Sequence, residues 1–324
     1  MTGAMQNLQK IRVSIGSAGV LGLKKIKTGR DTKTVFLMNS GKCEYNCSFC
    51  SQAKSSSSKE SMLSRITWPE YDVNEVVDAL EKNKQNYSRI CMQVVNTKDF
   101  FEQIPLIVKK IREKNKKVKI AITIRTYKMQ DIDLLFELGV NEIGIAIDAI
   151  DPVKFREIRG GNFDFHKKFI LKSSKKYPGK IATHLIIGLD ETEKQAVELM
   201  EELHKNKVIL ALFAFTPIRG SKFENLQAPN ISSYRRIKVA EYLIKNNLNK
   251  NFKFNKKNQI MDFGIEKLQL FKILKNSNVF ETSGCSDCNR PYYNERAGDK
   301  ELFNYPFKLN QSQFKRVFET IFNY

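Results

Sequence analysis

Three of the six cysteines fall within eight residues, at 43, 47 and 50; two more are two residues apart, at 285 and 288, and Cys91 stands alone. Spacings of three and then two intervening residues let one loop wrap three thiolates around an iron–sulfur cubane, leaving the fourth iron without a protein ligand. An open metal position is what a substrate-binding centre requires. Structural zinc is the alternative reading. Zinc wants a fourth ligand close by, and the stretch MNSGKCEYNCSFCSQA (38–53) holds no His and no further Cys. Tight cysteine groups in a chain without a clear export signal favour metal over disulfides.

A loop of this kind needs a scaffold. From Thr34 onward, apolar strand-like runs alternate with amphipathic helical stretches: TVFLMN (34–39), RICMQVV (89–95), KIAITI (119–124), EIGIAI (142–147), ATHLIIG (182–188) and LALFAF (210–215). Helical patterns fill the gaps over 74–84, 104–114, 129–138 and 191–205, the last with Asp190 as N-cap and a carboxylate, Glu193, three residues on. Such alternation predicts parallel strands with right-handed crossovers, covered by helices on the outside. FKFNK (252–256) and NVFETS (278–283) are read as strands seven and eight, joined by a helix over 266–274. The expected fold is α/β, a complete or nearly complete (β/α)8 TIM-type barrel spanning 33–288. A helical packing segment (1–32) precedes it and a C-terminal lid or packing segment (289–324) follows.

On that scaffold the remaining cysteines can meet. Strand eight of a closed barrel lies beside strand one, and strand one beside strand two, which carries Cys91. Cys91 is expected to point inward, with Gln93 on the opposite side. Cys285 and Cys288 are placed in a loop at the C-terminal face, where barrel sites form. Together with Cys91 they are read as ligands of an auxiliary iron–sulfur cluster above the barrel, most simply 4Fe–4S, with Ser283 or Thr282 as an oxygen ligand or the fourth iron left open.

The cysteine loop, with Phe49 just before its last cysteine, resembles the radical S-adenosylmethionine (SAM) superfamily, in its biotin-synthase-like branch. Three further segments carry the resemblance: IGIAIDAID (143–151), HLIIGLDETE (184–193) and FAFTPIRGS (213–221). It implies the radical SAM form of the barrel, a 4Fe–4S cluster on Cys43, Cys47 and Cys50, and SAM as cofactor, cleaved reductively to a 5′-deoxyadenosyl radical that takes a hydrogen atom from carbon. By the same resemblance Asp148 contacts the SAM ribose and Gly188 packs along the adenine. Arg159 and Arg219 are candidates to neutralise the SAM carboxylate. The Gly-Gly-Glu common after the second strand is replaced by VVNTK (94–98). The tail SGCSDCNRPYYNERAGDKELFNYP (283–306) and the early RVSIGSAGVLGL (12–23) are most similar to a subunit of the two-component, archaeal-type lipoyl synthase. That similarity implies sulfur insertion into an octanoyl chain on a lysine of an acidic lipoyl carrier protein, with sulfur from the auxiliary cluster. It also implies a paralogous second subunit and a small electron donor, a ferredoxin or flavodoxin. Biotin synthase, or another maturase of that branch, is the alternative.

The formal charge of +20 suits an acidic protein partner through electrostatic steering. Charge alone does not make a nucleic-acid-binding surface, and there is no basic stripe interleaved with aromatics. No apolar run reaches the roughly 18 residues of a membrane span, so no membrane association and a cytoplasmic location are expected. Of the remaining polar residues, Arg290, Tyr292, Tyr293, Asn294, Glu295 and Arg296 are read as a loop closing the mouth or as packing. His184 is read as a structural histidine, and His166 and His204 as ordinary helix or loop positions.

Overall fold

The structure, a computed structural model, describes residues 10–26, 32–248, 251–291, 293–295 and 298–324. Strand β1 (Lys10–Val13) and helix α1 (Ile15–Val20) precede β2 (Thr34–Asn39), and a hairpin of β3 (Met62–Leu63) and β4 (Ile66–Thr67) leads into β5 (Glu70–Asp72) and α2 (Val73–Lys82). Then come β6 (Arg89–Gln93), α3 (Phe100–Lys114), β7 (Lys119–Thr123), α4 (Met129–Glu137), β8 (Glu142–Gly144), α5 (Pro152–Arg159) and α6 (Phe163–Lys176). The series continues with β9 (Ile181–Ile187), α7 (Glu193–Lys205), β10 (Ile209–Ala214) and α8 (Ile231–Lys245). A short hairpin, β11 (Lys253–Phe254) and β12 (Ile260–Asp262), and helices α9 (Lys267–Leu274) and α10 (Gln311–Glu319) complete the chain.

Eight strands form one mostly parallel sheet in the order β10-β9-β8-β7-β6-β2-β1-β5, the curved sheet of a (β/α)8-like barrel. The six strands from β2 to β10 pair in parallel with their sequence neighbours. Along each of them a period of two sorts the side chains. Ile90, Met92, Ile120, Ile122, Leu185 and Ile187 are buried in the main core with the helices' apolar faces. Cys91, Gln93, Ala121, Thr123, Ala182 and His184 line the lumen instead. Large aliphatic residues thus hold the helices on, and small or polar residues leave space at the centre.

The seventh and eighth members of the sheet are not the expected ones. β1 and β5 supply them, antiparallel to β2 and to each other respectively. Residues 10–13 are therefore strand, not helix: Ile11 and Val13 are buried on one face while Lys10 and Arg12 turn out. Residues 252–256 do not join the barrel. Asn255 accepts bonds from the Lys257 and Gln259 amides and folds this polar stretch into the β11–β12 hairpin. Residues 278–283 form no strand; only Glu281 bridges to Tyr305, and the Ser283 hydroxyl accepts from the Leu212 amide on the free edge of β10.

The start of α7 also differs. Thr192 is its N-cap, in a capping box with Gln195. Glu193 is instead drawn into a buried ion pair with Arg236 at 2.6 Å, which ties α7 to α8. Among the described residues no helix is long and apolar enough to cross a membrane.

Candidate active site

Two cavities follow one another along the barrel axis. The upper, of about 240 Å³, lies at the C-terminal ends of the parallel strands and is lined by Cys43, Cys47 and Cys50. The lower, of about 30 Å³, lies towards their N-terminal ends and is lined by Cys91, Cys285 and Cys288. Gln93, Thr123, His184, Phe213 and Tyr293 line both and form the partition between them.

The upper cysteines sit on the loop after β2, docked by backbone bonds from Glu44 N to Asn96 O (2.9 Å), Ser48 N to Ile158 O (2.9 Å) and Phe223 N to Ser48 O (3.1 Å). Two of their sulfurs accept amide bonds of 3.4 Å, Cys43 from Tyr45 and Cys50 from Gln52, as suits thiolates in an electron-transfer cluster. Burial, reinforced by Cys47, pushes the Cys50 thiol up to about 12. Iron bound to Cys50 would bring the compensating charge and release its proton. Three free, half-buried thiols on one loop beside an open cavity fit a cubane with one unligated iron.

The groups above that loop are polar and paired. Arg159, at the end of α5, donates to the Asp148 carboxylate, both side chains being buried. Asp148 holds a left-handed conformation (φ 62°); its amide donates to His184 O and its carbonyl accepts from Ile186 N, both at 2.8 Å. Burial depresses the Arg159 guanidinium, and Arg125 adds to the effect against Cys47. Arg125 was not singled out in the sequence. It donates to the carbonyls of Arg159 (3.1 Å) and Gly160 (3.2 Å), lies 3.9 Å over the Tyr45 ring and reaches Cys47 Sγ at 4.0 Å. Its only sequence signal is a position two residues past β7, where barrel sites gather.

Asp148 and Arg159 thus line the upper cavity with the three cysteines, whereas Gly188 and Arg219 are outside its lining. Gly188 (φ 104°) is packed so that a Cβ would meet Pro229 at 2.9 Å. Arg219 is exposed, with its carbonyl taken by the Ser58 hydroxyl.

The second cysteine set converges from the other end of the barrel than the sequence suggested. Ser286 and Asp287 meet Arg89 and Lys119, the first residues of β6 and β7, at 3.5 Å and 4.0 Å. The Cys285–Cys288 turn therefore plugs the N-terminal end, not the C-terminal face. From there the tail climbs the free edge of β10: Asn294 donates to Ala214 O at 2.8 Å, and Tyr293 and Asn294 reach the upper cavity. Arg290 lies 4.1 Å over the Phe213 ring. Tyr292 and Arg296 are outside the described residues.

Gln93 lies on the same face of β6 as Cys91, not opposite it, because residues two apart share a face; its amide donates to Cys91 Sγ at 3.0 Å. Burial first and Cys288 second push Cys91 up to about 12. Burial and then Glu142 raise Cys285. Glu142 itself is held down, against burial, by a two-pronged bond from Arg89 at 2.8 and 3.1 Å. Ser283 and Thr282 have their hydroxyls engaged, with Leu212 N (2.9 Å) and Asn289 O (2.9 Å).

His184 faces both cavities and packs against Phe213 at 5.1 Å between ring centres. Burial, then Arg290 and Arg159, push it down to about 3, so its imidazole is neutral. His166 bonds Tyr127 and the Ala146 carbonyl. Among the described residues no three His, Cys, Asp or Glu side chains converge as a single metal ion would demand.

A barrel whose upper cavity joins a three-cysteine loop to a buried Arg–Asp pair defines a class of metal-cluster enzyme. The Radical SAM superfamily model matches residues 40–203, half of the chain, and the chain belongs to that superfamily. Membership carries with it a 4Fe–4S cluster and SAM. The chain is 26% identical over 214 residues to a biotin synthase of Methanococcus maripaludis, covering 65% of this chain and 64% of that one. It is 23% identical over 202 residues to a biotin synthase of Parabacteroides distasonis, covering 61% and 60%. The match thus spans less than two thirds of the length of either relative. The fold is similar to that of the FeFe-hydrogenase maturase of Carboxydothermus hydrogenoformans, with a TM-score of 0.54 and 18% identity over 72% of this chain and 56% of that one.

Proposed function

We propose that this chain is a sulfur-inserting radical SAM enzyme, a lipoyl synthase subunit acting on an octanoyl chain borne by a lysine of an acidic lipoyl carrier protein. The observation that carries the reading is the second set of cysteines, Cys91, Cys285 and Cys288, at the far end of the same lumen as Cys43, Cys47 and Cys50. Sulfur insertion needs a source of sulfur facing the activated carbon, and a second cluster in the same lumen would supply one.

The residues divide the work. Cys43, Cys47 and Cys50 would hold the cluster that, with SAM bound, supplies the 5′-deoxyadenosyl radical. Arg159 carries the charge that a SAM carboxylate needs and Asp148 the acceptor that a ribose hydroxyl needs. Phe213, Phe215, Ile186 and Ile218 give the upper cavity apolar walls that suit an alkyl chain and exclude water. Cys91, Cys285 and Cys288 would hold the sulfur-donating cluster beneath the partition. The +20 charge favours an acidic carrier, and reduction requires a small ferredoxin- or flavodoxin-type donor. A paralogous subunit would make the second carbon–sulfur bond.

A second reading, biotin synthase, is favoured by the names of the two relatives. One experiment separates them. The protein is reconstituted anaerobically with iron and sulfide, given SAM, a reductant and an octanoylated carrier domain, and the carrier is weighed by mass spectrometry. Thiolated octanoyl product lost in Cys285→Ala/Cys288→Ala supports the lipoyl reading. Biotin formation in the parallel assay, with no change in the carrier, overturns it.

A further inference from the structure

We propose that His184 is the fourth protein ligand of the auxiliary cluster, its imidazole binding the iron that faces the upper cavity. The proposal rests on the reading of Cys91, Cys285 and Cys288 as cluster ligands and names the group that reading left open.

Three observations carry it. The lower cavity is a built recess. Barrel interiors are ordinarily filled by branched side chains, but the inward positions here are Ala121, Gly144, Ala182 and Ala211, with Gly284 closing from the plug. A Cβ on Gly284 would lie 2.8 Å from that of Ala211, and one on Gly144 3.0 Å from the Thr123 hydroxyl. These positions on four strands and the tail are therefore held to small residues, around a recess of about 30 Å³.

The cysteines reach this recess from one strand and from the plug, leaving the side towards the upper cavity without a thiol. That side is the partition, where Gln93 is spent on Cys91 Sγ (3.0 Å) and Phe213 offers no donor atom. Thr123 and Tyr293 bear hydroxyls that must lose a proton to bind iron well. His184 alone of the five offers an imidazole nitrogen, the type of ligand that replaces cysteine in some iron–sulfur centres.

His184 is also unclaimed. Three polar groups around the recess have partners: Glu142 holds Arg89 (2.8 Å), Ser283 holds Leu212 N (2.9 Å) and Arg290 holds Ser283 O (3.0 Å). The His184 imidazole makes no hydrogen bond to a described residue, and the tilted Phe213 ring packs against it. His184 is only partly buried and lines both cavities, so its ring is open to a ligand there. Because His184 lines both cavities, its iron would be the one nearest the substrate carbon.

The test uses the full chain carrying Cys43/Cys47/Cys50→Ala, so that only the auxiliary cluster remains, produced with ¹⁵N-histidine and reconstituted anaerobically. Pulsed EPR of the reduced cluster is expected to show a strongly coupled ¹⁵N, lost in His184→Ala and His184→Gln, with about four irons per chain retained in all three. Iron retained without coupled histidine nitrogen, or coupling that survives both substitutions, overturns the His184 assignment and leaves the second cluster standing. No iron in the starting variant overturns the second cluster, and the ligand falls with it. The isotope readout is made with His184 intact, so a misfolded substitution does not obscure the answer.

Discussion

Arg159 and Asp148, eleven residues apart, are hydrogen-bonded to one another in the wall of the upper cavity. The sequence had given them separate tasks, one at a carboxylate and one at a ribose. In this structure each satisfies the other, so SAM would meet a prepaired, buried ion pair and not two loose side chains. Removing one partner of such a pair leaves the other charge uncompensated, at a cost of about 3 kcal/mol. Asp148→Asn preserves the shape and tolerates the left-handed backbone. It is expected to lower the unfolding free energy of the cluster-free protein, read by urea titration, by that amount, and a loss of less than about 1 kcal/mol would show that solvent screens the pair.

Arg125 is predicted to matter through its fork and not its charge. It joins the Arg159 and Gly160 carbonyls to the Tyr45 ring of the cysteine loop. Arg125→Lys keeps the charge and loses the planar double contact. A fall in SAM cleavage of at least tenfold is expected, with iron content unchanged. Full activity in the lysine variant would reduce Arg125 to a charge.

Gly284 stands at φ 110° against Ala211. Gly284→Ala adds both backbone strain and a clash, which together displace the Cys285–Cys288 turn. About four irons of a two-cluster protein are expected to be lost while SAM cleavage persists. Retention of all the iron would mean that the plug can shift without losing its ligands.

The Gln93 amide donates to Cys91 Sγ, and hydrogen bonds to ligand sulfur stabilise the reduced cluster. Gln93→Leu should therefore lower the auxiliary reduction potential and leave that of the upper cluster unmoved, as read by potentiometric EPR. An unchanged auxiliary potential would place the bond outside the loaded site.

His166 gives the pH dependence. Burial and the neighbouring Arg159 hold it down to about 3, against an ordinary 6.5, so the unfolded chain takes up the proton first. Its contribution is complete above pH 6.5 and is lost as pH falls towards about 3, amounting to about 2 kcal/mol by pH 5. Thermal unfolding of the cluster-free protein at pH 7 and pH 5 should show His166→Gln losing less stability on acidification than the parent chain. Parallel losses in the two proteins would rule the histidine out as the source.

How much of this was legible in the sequence follows from where the determining interactions lie. The six parallel strands were readable because helices cover one face and the lumen encloses most of the other, which leaves apolar runs, as in the fully buried TVFLMN (34–39). β1 and β5, of four and three residues, complete the sheet yet carry too little pattern to be recognised. Residues 278–283 look apolar enough for a strand, but Ser283 takes the β10 edge by its side chain. Arg125 was missed because a single arginine after a strand has no spacing to betray it.

By itself the sequence determined what is local. The spacing of Cys43, Cys47 and Cys50 fixes three thiols on one loop, and the alternation of apolar runs fixes the parallel order of the strands. Tertiary structure alone decided that Cys285 and Cys288 enter from the N-terminal end and that His184 stands between the two cavities. The contacts that set those relations join residues from 71 to 197 positions apart and depend on the stagger of the strands and the path of the tail along β10. No pattern of neighbouring residues encodes them, because side chains meet across the lumen only after the sheet has curved around it.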